Sequence, residues 1–180
     1  MTRMTRTFVE LTGNLVTGFD IVDFLQTITE HCVELLDVDA AGILLADEQG
    51  TLHLVAGSVE QEFAVEHAAP MRLRGQTFGV LVLFRGSPGV IPAVAQSFAD
   101  VATIGILNVP TDDHAARLHT ALNGRILIEQ AKGVVAERLQ VSMADAFALL
   151  RTYARKHSTL LSEVARAVIS KAVTVTDLTI

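Results

Sequence analysis

At 180 residues, half of them hydrophobic, the chain is long enough for one large or two small cores, and disorder is not expected away from its ends. A single cysteine, Cys32, excludes an internal disulfide framework and a thiolate metal cage, and no apolar run approaches bilayer length. The net charge of −6 conceals two regions of opposite sign: residues 114–180 hold nine Lys and Arg against five Asp and Glu, while residues 1–113 hold five Arg against fifteen acids. Only the C-terminal region therefore suits a polyanion; the rest is repelled by one. The N-terminus has basic residues but neither the apolar segment nor the cleavage-like site of a secretory signal, so the cytoplasm is the expected compartment. No Trp and one Tyr, Tyr153, argue against a nucleic-acid surface built on aromatic stacking.

The first clear element is residues 21–36, where Ile21, Leu25, Ile28, Cys32 and Leu35 recur at helical spacing. Asp37, Val38 and Asp39 end it. Residues 41–47 (AGILLAD) then read as a buried strand, residues 48–50 as a hairpin turn and residues 52–58 as a second strand. After the acidic bridge at 59–67, residues 70–84 split at Arg74-Gly75-Gln76 into another hairpin. Its second arm, 78–84, is apolar enough to be central. Residues 85–92 form a Gly- and Pro-containing loop, and Pro92 opens a helix to about Leu107 with Val94, Phe98, Val101 and Ile104 or Gly105 inward. This order predicts an α+β layer on an antiparallel meander.

Residues 108–113 mark the domain boundary, because Pro110 disfavours helix before it. A long helix from about Asp113 to Leu139 follows, its three-and-four repeat running through Leu118, Arg125, Ile128, Lys132 and Val135. Ser142 with Asp145 three residues later resembles a capping box and opens a second helix, 143–156, with Ala146, Phe147, Leu150 and Ala154 inward. A turn at 157–159 leads to a third helix, 160–172, with Leu161, Val164, Ala165 and Val168 inward; the remaining tail is expected to fray.

Ala121-Leu122, Arg125, Ile128-Glu129-Gln130-Ala131-Lys132-Gly133, Ala146-Phe147, Leu150-Arg151, Ala154 and Leu161 with Val164-Ala165 together resemble the ANTAR domain. The resemblance runs through all three helices. It implies an RNA-binding output module of a bacterial transcription antitermination regulator. Helix, two hairpins and closing helix in the N-terminal part resemble a GAF domain, and the tandem is similar to the GAF–ANTAR proteins of actinobacteria. The implied domains are 1–109, GAF-like, and 113–175, ANTAR. A GAF domain normally carries a helix and strand between its second strand and last hairpin that wall the ligand pocket. Here only residues 59–67 stand in that place, which argues against a ligand-sensing role and for a dimerising remnant.

Arg125 and Lys132 fall on characteristic ANTAR positions and lie two turns apart on one helical face. Arg151, Arg155 and Lys156 on the second helix and Arg166 on the third extend the basic patch towards phosphates and base edges. Gly133, costly inside a helix, allows close approach of a neighbouring helix, the favoured reading, or of an RNA backbone. Glu129 is placed to pair with Lys132 or Arg125 across one turn. The six histidines show no metal-like spacing, and neither Ser58 nor Ser87 sits in a nucleophile-elbow motif. The Gly75/Gly79 and Gly86/Gly89 pairs read as turns rather than phosphate-cradling loops. No clustered acid, base and nucleophile points to an enzyme, and no cofactor is implied.

The resemblance implies that the module binds stem-loops in nascent leader RNA, close to RNA polymerase, and prevents a terminator hairpin from forming. The chain is expected to be a homodimer. The alternatives are a DNA-binding helix-turn-helix regulator, for which three short helices and a basic surface also serve, and a non-catalytic GAF-type sensor or dimerisation protein.

Overall fold

The computed structural model describes residues 3–17, 20–57, 65–86, 92–111 and 113–179. The chain divides into two compact units, Met1–Leu122 and Asn123–Ile180.

The first unit opens with α1 (Arg3–Thr17), a helix that the sequence reading did not assign; its Leu11 is wholly buried and its Phe8 stacks on Phe98. Asp20 caps α2 (Ile21–Leu36), its Oδ1 accepting from the Val22 and Asp23 amides at 2.9 and 3.3 Å. Ile21, Leu25, Ile28 and Cys32 are buried as expected, but Leu36 is buried where Leu35 is only half so. The helix stops within one residue, because Asp37 adopts a left-handed conformation with φ 53°. Strand β1 (Val38–Ala46) consequently starts three residues earlier than expected.

β1, β2 (Leu52–Gly57), β3 (Val65–Leu73) and β4 (Gln76–Gly86) form one antiparallel sheet in the order β2-β1-β4-β3. The expected meander is thus replaced by two hairpins joined through β1 and β4, with Ile43 opposite Leu81. Central strands must be apolar on both faces, and β4 meets this with Leu81, Val82, Leu83 and Phe84 all buried. Arg74 and Gly75, at φ 50° and 86°, supply the two positive dihedrals of a two-residue turn between β3 and β4. Of the expected bridge, 59–64 lie outside the described residues and Val65 to His67 already belong to β3. Ser58, Ser87, Gly89 and most of the expected loop, 87–91, also lie outside them.

Pro92 opens α3 (Pro92–Leu107). Its buried face runs through Ala95, Phe98, Ala99, Ala102 and Ile106, whereas Val94 and Val101 are half-buried and Ile104 is exposed. Small residues win this face because α3 presses on α2: a Cβ at Gly105 would collide with the Phe24 ring. Helix α2 packs on β1 and β2, α3 on β3 and β4, and the two helices on each other, closing one apolar core.

Helix α4 (His114–Leu139) begins in the first unit and continues into the second. The second unit adds α5 (Met143–His157) and α6 (Leu161–Ile169). Ser142 caps α5 as expected, its Oγ accepting from the Asp145 amide at 3.1 Å and donating to the Asp145 carboxylate at 2.7 Å. At α6 the Glu163 carboxylate accepts from the Leu160 amide at 3.3 Å. Helix α6 stops at Ile169, short of the expected 172, and the tail is not frayed. Residues Val175–Thr179 wind into a 3-10 turn that packs on α5 and buries Val175 and Leu178. The Asp177 carboxylate also closes the turn, its Oδ2 accepting from the Thr174 amide at 2.9 Å and hydroxyl at 2.6 Å. Among the described residues, no helix is long and apolar enough to cross a membrane.

Candidate nucleic-acid interface

The buried stripe of α4 in the second unit is Gly124, Ile128, Ala131 and Val135. Arg125 and Lys132 each stand one position beyond it, so they border the core instead of interrupting it, as the sequence repeat had suggested. Glu129 lies one turn from both. The Lys132 Nζ donates to its two carboxylate oxygens at 2.9 and 3.0 Å, and the same carboxylate attracts Arg125. Burial lowers the Arg125 pKa from its ordinary value, with Glu129 opposing; a guanidinium stays charged regardless.

Helix α5 brings the third partner. Phe147, expected inward, is only half-buried. The Arg151 guanidinium carbon lies 4.5 Å from its ring centroid and the Lys132 Nζ 5.6 Å, both within cation–π range. Arg151 follows Phe147 by one helical turn on the same face. The result is a partly open aromatic ring flanked by two cations, with a third cation, Arg125, tied in through Glu129. This cluster joins two consecutive helices across the short turn between them.

The remaining predicted residues are arranged more loosely. Arg155 and Lys156 are exposed in the last turn of α5, and Arg166 is exposed in the last turn of α6, where positive charge is favoured by the helix dipole. Gly133 is exposed, and a Cβ added there would meet nothing within 4 Å. The favoured expectation, that another helix packs on it, is therefore not met among the described residues. What Gly133 leaves is a bare stretch of backbone one residue from Lys132.

Two aromatic features escaped the sequence reading. Phe147 was masked by its apolar helical spacing, which is the signal of a core residue. Tyr153 meets His157 one turn later, its ring tilted by 33° with centroids 4.1 Å apart, on the other flank of the Ala146, Leu150 and Ala154 stripe. Only the basic side chains beside Phe147, at Lys132 and Arg151, hint at its partial exposure.

In comparison with known families, residues 116–169 match the ANTAR domain. The match takes in nearly all of α4, with α5 and α6, and spans every predicted basic site residue. The expected ANTAR module is therefore present. Among solved structures, the GAF domain of an Acinetobacter phosphoenolpyruvate-protein phosphotransferase is 16% identical, covering 63% of this chain and 100% of its own, with TM-score 0.48. The GAF domain of the corresponding Coxiella burnetii protein is 14% identical, covering 67% and 95%, with TM-score 0.44. No curated protein matches the chain.

Proposed function

We propose that the chain is an RNA-binding regulator of transcription antitermination, acting in the cytoplasm without catalysis, and that the ANTAR module is its output. The observation that carries this reading is the pair of Lys132 and Arg151 about Phe147, with Arg125 drawn in through Glu129, all inside the matched segment. Phosphates meet the cations, and an unpaired loop base stacks against the ring or a guanidinium plane. A-form RNA closes its deep groove to side chains, so specificity is expected to come from splayed loop bases. In the antitermination reading, binding a stem-loop in a leader transcript prevents the competing terminator hairpin.

A helix-turn-helix DNA reader would need a polar recognition helix. Helix α6 buries Leu161, Val164, Ala165 and Val168 and leaves few base-reading side chains on its nine residues. The test compares the chain's affinity for a hairpin RNA with unpaired loop bases and for duplex DNA of equal charge, at matched salt. The reading expects clear preference for the hairpin and a loss when the loop is closed by pairing; equal binding to both would refute it. Dimerisation through the first unit is the companion proposal, supported by the exposed Val9 on α1 and Ile104 on α3. Light scattering should give twice the chain mass; a monomer at high concentration refutes it.

A further inference from the structure

A cleft of about 530 Å³ opens in the first unit at one end of the sheet. Leu73 and Phe78, on either side of the β3–β4 turn, form one wall, and Ile106 and Leu107 from the end of α3 another. His114 and Arg117, from the first turn of α4, complete it. None of these residues belongs to the 59–67 bridge on which the expectation of no ligand site rested.

Three observations give the cleft its chemistry. First, the Arg117 Nε is buried and has no hydrogen-bond partner among the described residues. A charged donor without an acceptor is costly, and the half-buried Arg117 side chain lines the cleft, so an oxyanion held there would meet the remaining donors of an under-satisfied guanidinium. Second, His114 is fixed: its Nε2 donates to the Ala46 carbonyl at 2.8 Å, and its ring meets Phe78 edge-on at 5.7 Å. Because a carbonyl only accepts, the proton on Nε2 is assigned. Third, the acid at the rim, Asp47, is already engaged. Its Oδ1 accepts from the Gln49 and Thr51 amides at 3.0 and 2.8 Å, and its Oδ2 pairs with His53 Nε2 at 2.9 Å. It makes no bond to the Arg117 Nε.

We propose that this cleft binds a small organic carboxylate, its acid group on Arg117 and its hydrocarbon body against Leu73, Phe78, Ile106 and Leu107. Guanidinium matches a carboxylate through two parallel hydrogen bonds, and apolar walls with few placed polar groups are the usual form of small-molecule sites. The volume suits an acid of about ten to fifteen non-hydrogen atoms, such as an aryl acid. Inorganic phosphate would satisfy Arg117 but leave the apolar walls empty.

The test is calorimetric titration of the full chain with 2-naphthoate, indole-3-acetate and hexanoate, alongside the neutral 2-naphthamide and inorganic phosphate. Saturable binding of at least one acid is expected, with a matching rise in melting temperature. Binding of 2-naphthamide and phosphate should be weaker by about tenfold or more, the cost of losing either the charge or the apolar contact. Arg117→Met should lose affinity to a similar degree. Leu73→Trp, at a partly exposed strand end, fills the cleft while keeping Arg117 and should also abolish binding. No binding by any of the three acids, equal binding of the amide or of phosphate, or binding that survives both substitutions would overturn the proposal.

Discussion

Of the largest side chains sealed from solvent, eleven lie in the first unit and one, Leu150, in the second. The first unit builds its core from Phe24, Phe98, Ile43, Met71, Leu81 and their neighbours between a sheet and two helices. Among the described residues, the second, smaller unit builds its core without a buried aromatic ring, from branched residues such as Ile128, Val135, Leu150, Leu161 and Val168 with Ala131, Ala146, Ala154 and Ala165 between them. Charge follows the opposite order, a net −10 over residues 1–113 and +4 over 114–180. The large core sits where a polyanion is repelled, and the thin core carries the cations. In the smaller module a half-buried ring, Phe147, lies on the border between core and charged surface.

The comparison breaks most sharply at Leu150. Leu150→Ala removes a large side chain wholly buried in the helical unit and should cost about 2–5 kcal/mol. Chemical unfolding followed by far-UV circular dichroism should show an early transition with loss of helix, the sheet unit melting later. A single unshifted transition would mean that the thin core is not what holds the module.

Next comes the charged cluster. Arg125→Ala and Lys132→Ala together should weaken hairpin RNA binding by roughly tenfold or more and reduce the salt slope by roughly 0.7 per lost single-strand phosphate contact. Helical content should hold, since Ala favours helix. Unaltered binding would return both residues to the role of a solvated helix edge.

Gly133→Ala separates stability from function. The substituted helix should gain about 1 kcal/mol, because nothing among the described residues opposes a Cβ there. RNA affinity should fall if a ligand backbone approaches that spot. A more stable variant with unchanged affinity would assign Gly133 no part in binding.

Two titrating groups give smaller tests of the first unit. Burial pushes the Cys32 thiol up to about 12 from 9.0, so a disulfide reagent at neutral pH should react only after denaturation. The unfolded thiol ionises first as pH rises, so stability is expected to fall between pH 9.0 and about 12 relative to Cys32→Val. Asp47 moves the other way: the His53 hydrogen bond, aided by backbone amides, holds its carboxyl below the ordinary range. The advantage over Asp47→Asn should therefore be present above the usual carboxylate pKa and vanish as pH falls through the lowered one.

The helices and strands were largely legible because their apolar periods are regular: α2, both hairpins, α3 and the start of α5 follow directly from spacing, Pro92 and Ser142. What was hidden depends on partners distant in sequence. The strand order β2-β1-β4-β3 is set by pairing between β1 and β4, which no local pattern encodes. The tail at Val175 and Leu178 is ordered only because α5 offers it a surface. In the candidate interface the basic residues could be named from charge and spacing. Their convergence on Phe147 could not, since a Phe at helical spacing is indistinguishable from core until α4 and α5 pack. Arg117 was simply one cation among nine.

The division of labour between the two regions is tested most directly by measuring hairpin RNA affinity for residues 113–180 alone beside the whole chain. Molecular mass should be determined for both at the concentrations used, since linked sites raise avidity without new contacts. The account predicts that the fragment folds as a helical unit and, per binding site, binds RNA at least as tightly as the whole chain, because the acidic region adds repulsion rather than contacts. A folded fragment whose per-site affinity is far weaker would contradict it.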